Sequence, residues 1–249
     1  MTWILERLAR EGKVVATHLT SELGVSEDTI RRDLRELASM RRLRRVHGGA
    51  LPPSPVALQY AVRERQSVPQ KKSIARAASR LVAAGSVVFL DGGTTNLHVA
   101  ESFAPDLRAT VITNSVPVAM ALADHGAIEV VFLGGGLLKG SRVTVGAETI
   151  DAIRQYRADL FLLGTCSLDF EAGITVPHME EAPVKRAMIA ASARVVGLVT
   201  AEKLGTAMAC VVGPVSALDA LVTEPETDDA LLEPYRQAGI QVIRGEQID

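Results

Sequence analysis

Between residues 29 and 45 the chain carries seven arginines against two acids, within a protein of 249 residues whose formal net charge is −2. The run begins inside GVSEDTIRRDLREL (24–37) and continues into LRRVHGGA (43–50). Arginine presents a planar fork of donors that fits phosphate oxygens and the guanine edge, so this cluster can hold a nucleic acid duplex. The same residues also suit a solvated helix with Glu27–Arg31 and Asp28–Arg32 pairs four apart. A second group suits a small anion. LDGGTTNLHVA (90–100) ends a strand at Asp91, lets a ligand approach the backbone at Gly92 and Gly93, and opens a helix with the hydroxyls of Thr94 and Thr95. A merely tight strand-to-helix turn has that composition too. HMEEAPVKRAMI (178–189) then sets Glu181 and Lys185 four apart, which as a surface ion pair is worth roughly a few tenths of a kcal/mol.

The elements that must present the arginines are short. Trp3, Ile4, Leu5 and Leu8 predict a helix over 3–13, and Val15, Leu19 and Leu23 a second over 14–23, stopped by Gly24. Ser26 is placed to cap a third helix over 26–38, with Glu27 and Asp28 favourably in its first turn. Ile30, Leu34 and Leu37 form its buried stripe, so Arg32 and Arg35 face outward with Arg31 and Thr29 on the flanks. Three helices with a glycine turn before the last make a helix-turn-helix. Leu43–His47 and Ala50–Leu51 on either side of Gly48-Gly49 predict a small wing that carries the second cluster, Arg41, Arg42, Arg44 and Arg45.

Pro52, Pro53 and Pro55 punctuate the chain, and 52–69 reads as a linker with a helical piece over 58–66. Beyond residue 70, aliphatic runs at 86–90, 110–113, 128–133, 159–163, 195–199, 220–222 and 240–243 alternate with helical stretches at 71–84, 95–103, 116–124, 147–156, 180–193 and 227–238. This is the pattern of an α/β domain with a mainly parallel sheet covered on both faces. Ligands of such sheets bind beyond the carboxyl ends of the strands, where LDGG, TNS (113–115), LGGG (133–136) and GTCSLD (164–169) converge. The expected division is 1–51, 52–69 and 70–249.

Composition narrows the class. With 47% hydrophobic and 22% charged residues the chain is an ordinary globular protein. Cys166 and Cys210 stand apart without CxxC spacing, which argues against a disulfide framework or zinc site and for a reducing cytoplasm. The first residues, MTWILERLAREG, do not read as a secretory leader, and no run is long enough for a membrane span. Residues 1–50 hold ten Lys/Arg against seven Asp/Glu, while the remainder holds 17 against 22. A basic patch on an acidic chain predicts a polyanionic partner for that end only.

VSEDTIRRDLREL and LRRVHGGA resemble the DNA-binding signature of the DeoR family of bacterial transcription regulators. The GGTT, TNS, LGG, E-x-x-VK and KLG elements follow in the order of that family's effector domain, so the resemblance covers nearly the whole chain. It implies a winged helix-turn-helix with 26–38 as recognition helix, contacting a double-stranded operator through Ser26, Thr29, Arg31, Arg32 and Arg35, with Arg45 and His47 on the wing. It implies an effector domain similar to ribose-5-phosphate isomerase and glucosamine-6-phosphate deaminase that binds a phosphorylated sugar. Asp91, Gly92, Gly93, Thr94 and Thr95 would surround the phosphate, with Asn114, Ser115, Gly135, Asp169, Glu181, Lys185 and Lys203 completing the pocket. The expected function is a repressor of a carbohydrate-utilisation operon, working as a homodimer or homotetramer on paired half-sites. No catalytic residue, cofactor or metal is expected.

Three departures from the family pattern stand out. Arg41 occupies a position usually held by glycine, and TAEKLG (200–205) keeps Lys203 but lacks the Asp-Ser-Ser before it. The chain also begins close to its first helix, so a shortened start and a less complete first helix are expected. The rival from another class is a sugar-phosphate isomerase or deaminase with an accessory N-terminal domain, using Glu181, Asp169 and Lys185 as acid–base groups. A third reading is a winged helix that docks RNA or protein. His98 and His125 read as helix-surface residues, His178 as a weaker ligand contact, and Cys166 as an inert thiol in a pocket loop.

Overall fold

The computed structural model describes residues 1–40, 42–53 and 59–247. Arg41 of the expected arginine cluster, and Pro55 and Leu58 of the expected linker, lie outside them. The N-terminal unit runs α1 (Thr2–Glu11), β1 (Val14–Val15), α2 (Ala16–Leu23), α3 (Glu27–Ser39), β2 (Arg44–Val46) and β3 (Gly49–Leu51). Both α1 and α2 end on a left-handed glycine, Gly12 at φ 68° and Gly24 at φ 64°, which a side chain would strain. Val14 and Val15 are a strand rather than the first turn of α2: this β-branched pair matches Ala50 and Gly49 in an antiparallel ladder, giving a sheet of order β1-β3-β2. The approach is close enough that a Cβ on Gly49 would stand 1.9 Å from the Val14 carbonyl oxygen. Ile4, Leu8, Leu19, Ile30, Leu34, Leu37 and Leu43 pack into a core of their own beneath the sheet.

The larger unit follows as α4 (Tyr60–Arg63), α5 (Val68–Ser79), β4 (Val87–Leu90), α6 (Thr94–Glu101), β5 (Ala109–Thr113), α7 (Val116–Leu122), β6 (Ile128–Phe132), β7 (Gly136–Leu138), β8 (Val143–Val145), α8 (Ala147–Arg154), β9 (Leu160–Gly164), β10 (Ser167–Asp169), β11 (Gly173–Val176), α9 (Glu181–Ala190), β12 (Val195–Leu198), β13 (Cys210–Gly213), β14 (Ala220–Thr223), α10 (Asp229–Gln237) and β15 (Gln241–Arg244). Seven parallel strands, in the order β15-β14-β12-β9-β4-β5-β6, form its centre. Side chains alternate between two cores. Val88, Leu90, Leu160 and Leu162 pack with Ile74 of α5, Val99 of α6 and Val118 of α7, whereas Phe89, Phe161 and Leu163 pack with Ile153 of α8, Met188 of α9 and Leu232 of α10. Burial on both faces is why these strands read as unbroken aliphatic runs.

Two small antiparallel sheets were not predicted from the sequence. A hairpin joins β7 to β8, and a three-stranded sheet has the order β10-β11-β13. The expected linker also differs from its prediction. Tyr60 is buried, its N–H donates to the Gly140 carbonyl at 2.9 Å, and the guanidiniums of Arg142 and Arg63 lie 4.6 and 5.7 Å from its ring centre. The buried ammonium of Lys71 donates to the carbonyls of Arg63 and Gln66, so residues 60–66 pack as a strap on the α/β unit. Helix α5 starts at Val68, earlier than 71, because Pro69 fits the first turn of a helix.

Candidate functional site

Helix α3 displays its arginines on one face. Ile30, Leu34 and Leu37 are buried, while Arg31, Arg32 and Arg35 are exposed. Ser26 caps the helix: its hydroxyl accepts from the Thr29 N–H at 3.2 Å and lies 3.0 Å from the Thr29 hydroxyl. Both hydroxyls therefore serve the helix end as well as any ligand. Arg31 pairs with Glu27 at 2.6 Å, and the Arg35 Nε donates to the Arg31 carbonyl at 3.2 Å. The Arg32 guanidinium makes no hydrogen bond or ion pair with any described residue and is free for a polyanion. On the wing Arg45 and His47 are exposed, yet with Arg44 and Val46 they also line a cleft of about 450 Å³ whose opposite wall is Glu171, Ala172, Thr175, Ala207, Met208, Ala209 and Val211 of the larger unit.

Beyond the carboxyl ends of β4 and β9 lies a narrow cavity of about 30 Å³. Gly92, Gly93, Thr94, Thr95, Glu181, Lys185 and Lys203 line it. The α6 end needs its glycines for different reasons: Gly93 has φ 137°, and a Cβ on Gly92 would stand 2.1 Å from the Val143 Cγ1. The first-turn N–H groups of α6 lack helical acceptors and point out of its N-terminus, next to the Thr94 and Thr95 hydroxyls.

Three cations surround this helix end in different states. Lys185 forms a buried ion pair with Asp91 Oδ2 and donates to the Gly164 carbonyl at 2.9 Å. Asp91 Oδ1 accepts from Asn96 Nδ2 at 2.6 Å and from the Gly164 N–H at 2.8 Å, so the Asp91 carboxylate is saturated beneath the cavity rather than lining it. Burial pushes the Asp91 carboxyl up against the pull of Lys185, and the Asp91 charge holds the Lys185 ammonium up although burial acts to lower it. Lys203 is 7% exposed, and its ammonium makes no hydrogen bond or ion pair with any described residue. Burial pushes its pKa down. The third cation, Arg63, reaches the cavity from the strap.

Sequence reasoning did not single out Arg63 or Ser141, and it placed Gly164 and Thr165 at the site only as part of the GTCSLD loop; all four line the cavity. Ser141 donates to Glu181 Oε1 at 2.8 Å and orients that carboxylate. A Cβ on Gly164 would stand 2.5 Å from the Gly92 carbonyl oxygen, and that steric demand is invisible in a strand-end glycine read from sequence. Four of the expected pocket residues instead serve the fold. Asn114 donates to the Thr144 carbonyl at 2.8 Å, and Ser115 caps α7. Gly135 makes room for Thr149, whose Oγ1 would lie 2.2 Å from a Cβ there. Asp169 Oδ1 accepts from the Glu171 and Ala172 N–H groups in the β10–β11 turn. Cys166 lines the cavity, with its thiol pKa pushed up by burial. His98 contacts Glu101 at 2.8 Å, and His125 accepts from the Ala127 and Ile128 N–H groups. His178 is not among the lining residues, and its Nε2 is buried without a hydrogen-bond partner among the described residues.

Among the described residues no helix is long and apolar enough to cross a membrane. A family model described as a DeoR-like helix-turn-helix domain matches residues 2–56, and one described as the DeoR C terminal sensor domain matches residues 66–225. Among curated proteins the chain is 35% identical over 229 residues to the HTH-type transcriptional regulator GlpR of Haloferax volcanii, spanning 91% of this chain and 89% of that one. It is 31% identical over 240 residues to the glycerol-3-phosphate regulon repressor of Escherichia coli strain K12, spanning 96% and 95%. A ribose 5-phosphate isomerase A structure from Methanocaldococcus jannaschii aligns at TM-score 0.40 and 17% identity over 57% of this chain and 54% of that one, too distant to bear on function.

Proposed function

The chain belongs to the DeoR family of DNA-binding transcription regulators, and from that premise we propose that it represses a carbohydrate-utilisation operon, with a small phosphorylated molecule in the α6 cavity setting its hold on the operator. In this reading residues 1–51 read DNA, 70–249 sense the effector and 52–69 join them. The separate core beneath the wing supports that division. Arg32 and Arg35 approach the bases and phosphates, flanked by Arg31, Thr29 and Ser26, with Arg45 and His47 approaching from the wing. Half-sites related by two-fold symmetry call for at least a dimer.

One observation carries the effector half of this reading. Lys203, largely buried and with an ammonium that makes no hydrogen bond or ion pair with any described residue, lines the same cavity as a helix N-terminus with free N–H groups and two hydroxyls. Burying a charge alone is costly, and a dianionic phosphate in that space would offset the cost for Lys203 and meet the positive end of the α6 dipole. The enzymatic alternative lacks its machinery: Asp169 is occupied in a turn outside the cavity, Lys185 is neutralised by Asp91, and Glu181 is bound by Ser141.

Thermal melting against glycerol 3-phosphate, fructose 6-phosphate, ribose 5-phosphate and inorganic phosphate tests the reading. A compound that binds the native state raises the midpoint. At least one of them is expected to do so, and Lys203→Ala is expected to abolish the rise. If no compound shifts the wild-type midpoint, the effector reading falls.

A further inference from the structure

The segment from Thr200 to Val211 reaches both functional regions. At one end Lys203, in a short 3₁₀ turn over Ala201–Lys203, lines the effector cavity. Four residues on, Ala207 forms a parallel bridge with Pro53, two residues beyond the end of wing strand β3. Four residues span at most about 14 Å of chain, so the two ends cannot be far apart. The stretch between them is held firmly. The Gly205 N–H donates to the Leu168 carbonyl at 2.9 Å, and Thr206 Oγ1 donates to the Lys203 carbonyl at 2.8 Å and lies 3.1 Å from the Ser167 hydroxyl, which can donate to it. The Met208 N–H donates to Thr175 Oγ1 at 2.8 Å. Leu204, Thr206 and Ala207 are all buried. Within the segment the Thr206 bond to the Lys203 carbonyl ties the Lys203 end to the residue next to Ala207, so the two ends are joined by a closed hydrogen bond as well as by the chain.

The wing end meets more than one bridge. Ala207, Met208 and Ala209 form one wall of the cleft whose other wall carries Arg44, Arg45 and His47. On the rim Lys13, just before β1, pairs with Glu171 in the β10–β11 turn. Lys13 and Glu171 are 31% and 61% exposed, so that pair contributes little energy. The DNA-facing arginine of the wing and the cation of the cavity thus sit at opposite ends of one tied segment.

We propose that residues 203–209 couple the effector cavity to the wing, so that an anion drawn to Lys203 changes how the wing docks on the β10-β11-β13 sheet and, through Arg45 and His47, how tightly operator DNA is held. A cavity of about 30 Å³ takes in a sugar phosphate only if its lining parts, and Lys203, the first residue of this segment, belongs to that lining. The ligand acts only to the extent that it favours one docking over the other. The inference rests on the effector reading given above.

The test uses the full chain and a duplex selected from a random-sequence library by the wild-type protein. Operator affinity is measured by fluorescence anisotropy with and without the phosphate compound that most raises the melting point. The ratio of the two affinities is the coupling factor. Adjacent strands bring Cα atoms within disulfide range, so Pro53→Cys with Ala207→Cys gives a reversible lock. The oxidised form is expected to bind DNA with a coupling factor near 1, and the reduced form to regain the wild-type factor, with oxidised wild type as control for Cys166 and Cys210. Thr206→Val, which severs the tie to Lys203, is expected to keep the melting shift while lowering the coupling factor several-fold. A wild-type factor in both the oxidised lock and Thr206→Val would overturn the coupling and leave the effector reading standing. If no phosphate compound alters wild-type melting or DNA affinity, the effector reading itself fails, and the coupling with it.

Discussion

Two ion pairs in this molecule have the same chemistry and opposite surroundings. Arg31 and Glu27 meet at 2.6 Å on α3 with more than half of each side chain exposed. Lys185 and Asp91 meet beneath the cavity at the α6 N-terminus with 6% and 2% exposed. Water screens the first pair, so its arginine can be recruited by a phosphate at little cost. The second pair has lost its water and is locked by the Gly164 backbone and Asn96, so it acts as scaffold. The function of a cation here follows from its solvation and its partner, not from its charge alone. Arg32 is exposed and unpaired among the described residues and suits DNA, whereas Lys203 is buried and unpaired among them and suits a small dianion.

The largest effect expected from this contrast is on stability. Asp91→Ala leaves the buried Lys185 ammonium without its counter-charge and the Gly164 N–H without its acceptor. A loss of about 3–5 kcal/mol is expected, read as a lower urea midpoint with unchanged slope. Glu27→Ala, which breaks the exposed pair, is expected to cost about 0.5 kcal/mol or less. Equal losses at the two sites would end the distinction drawn between them.

A smaller effect is expected on the exposed side. Arg32→Ala should weaken operator binding about tenfold without moving the melting midpoint, because the exposed side chain makes no hydrogen bond or ion pair with any described residue. The slope of log affinity against log salt should fall by about 1 if Arg32 meets a phosphate and stay constant if it meets a base. A folded Arg32→Ala protein with wild-type operator affinity would remove α3 as the reading helix.

The same contrast explains how much could be read in the sequence. The parallel strands were legible because burial on both faces of the central ones makes them near-continuous apolar runs, and α3 because its stripe of Ile30, Leu34 and Leu37 repeats at helical spacing. Val14–Val15 and the strands β7, β8, β10, β11 and β13 have two to four residues each, too few to establish a period. In the cavity, the GGTT turn, Glu181, Lys185 and Lys203 stood out because glycine and charge at strand ends are conspicuous. Arg63 and Ser141 did not, since only the folding of distant segments brings them there. Asn114, Ser115, Gly135 and Asp169 share the composition of site residues, but their polar atoms or missing side chain serve turns, caps and packing.

The smallest predicted effect concerns pH and belongs to the buried side alone. Burial, with the nearby charge of Lys203, pushes the Lys71 ammonium down to about 8 from an ordinary 10.5. Between those values the unfolded chain binds more protons at this group than the folded one, so the Lys71 contribution to stability rises as pH is raised from about 8 toward 10.5. Bound phosphate works in the opposite sense, because an anion favours the charged form of Lys203, whose pKa burial lowers, and so binds less tightly as pH rises. From pH 7 to 9 the phosphate-induced melting shift should therefore shrink while the contribution of Lys71 to the free protein's stability grows, each change being on the order of 1 kcal/mol. Lys71→Met isolates the group, since the wild-type minus variant difference removes every other titration. A difference that stays flat across that range would mean that Lys71 keeps its ordinary pKa, and that the carbonyls of Arg63 and Gln66 compensate for its burial as fully as water would.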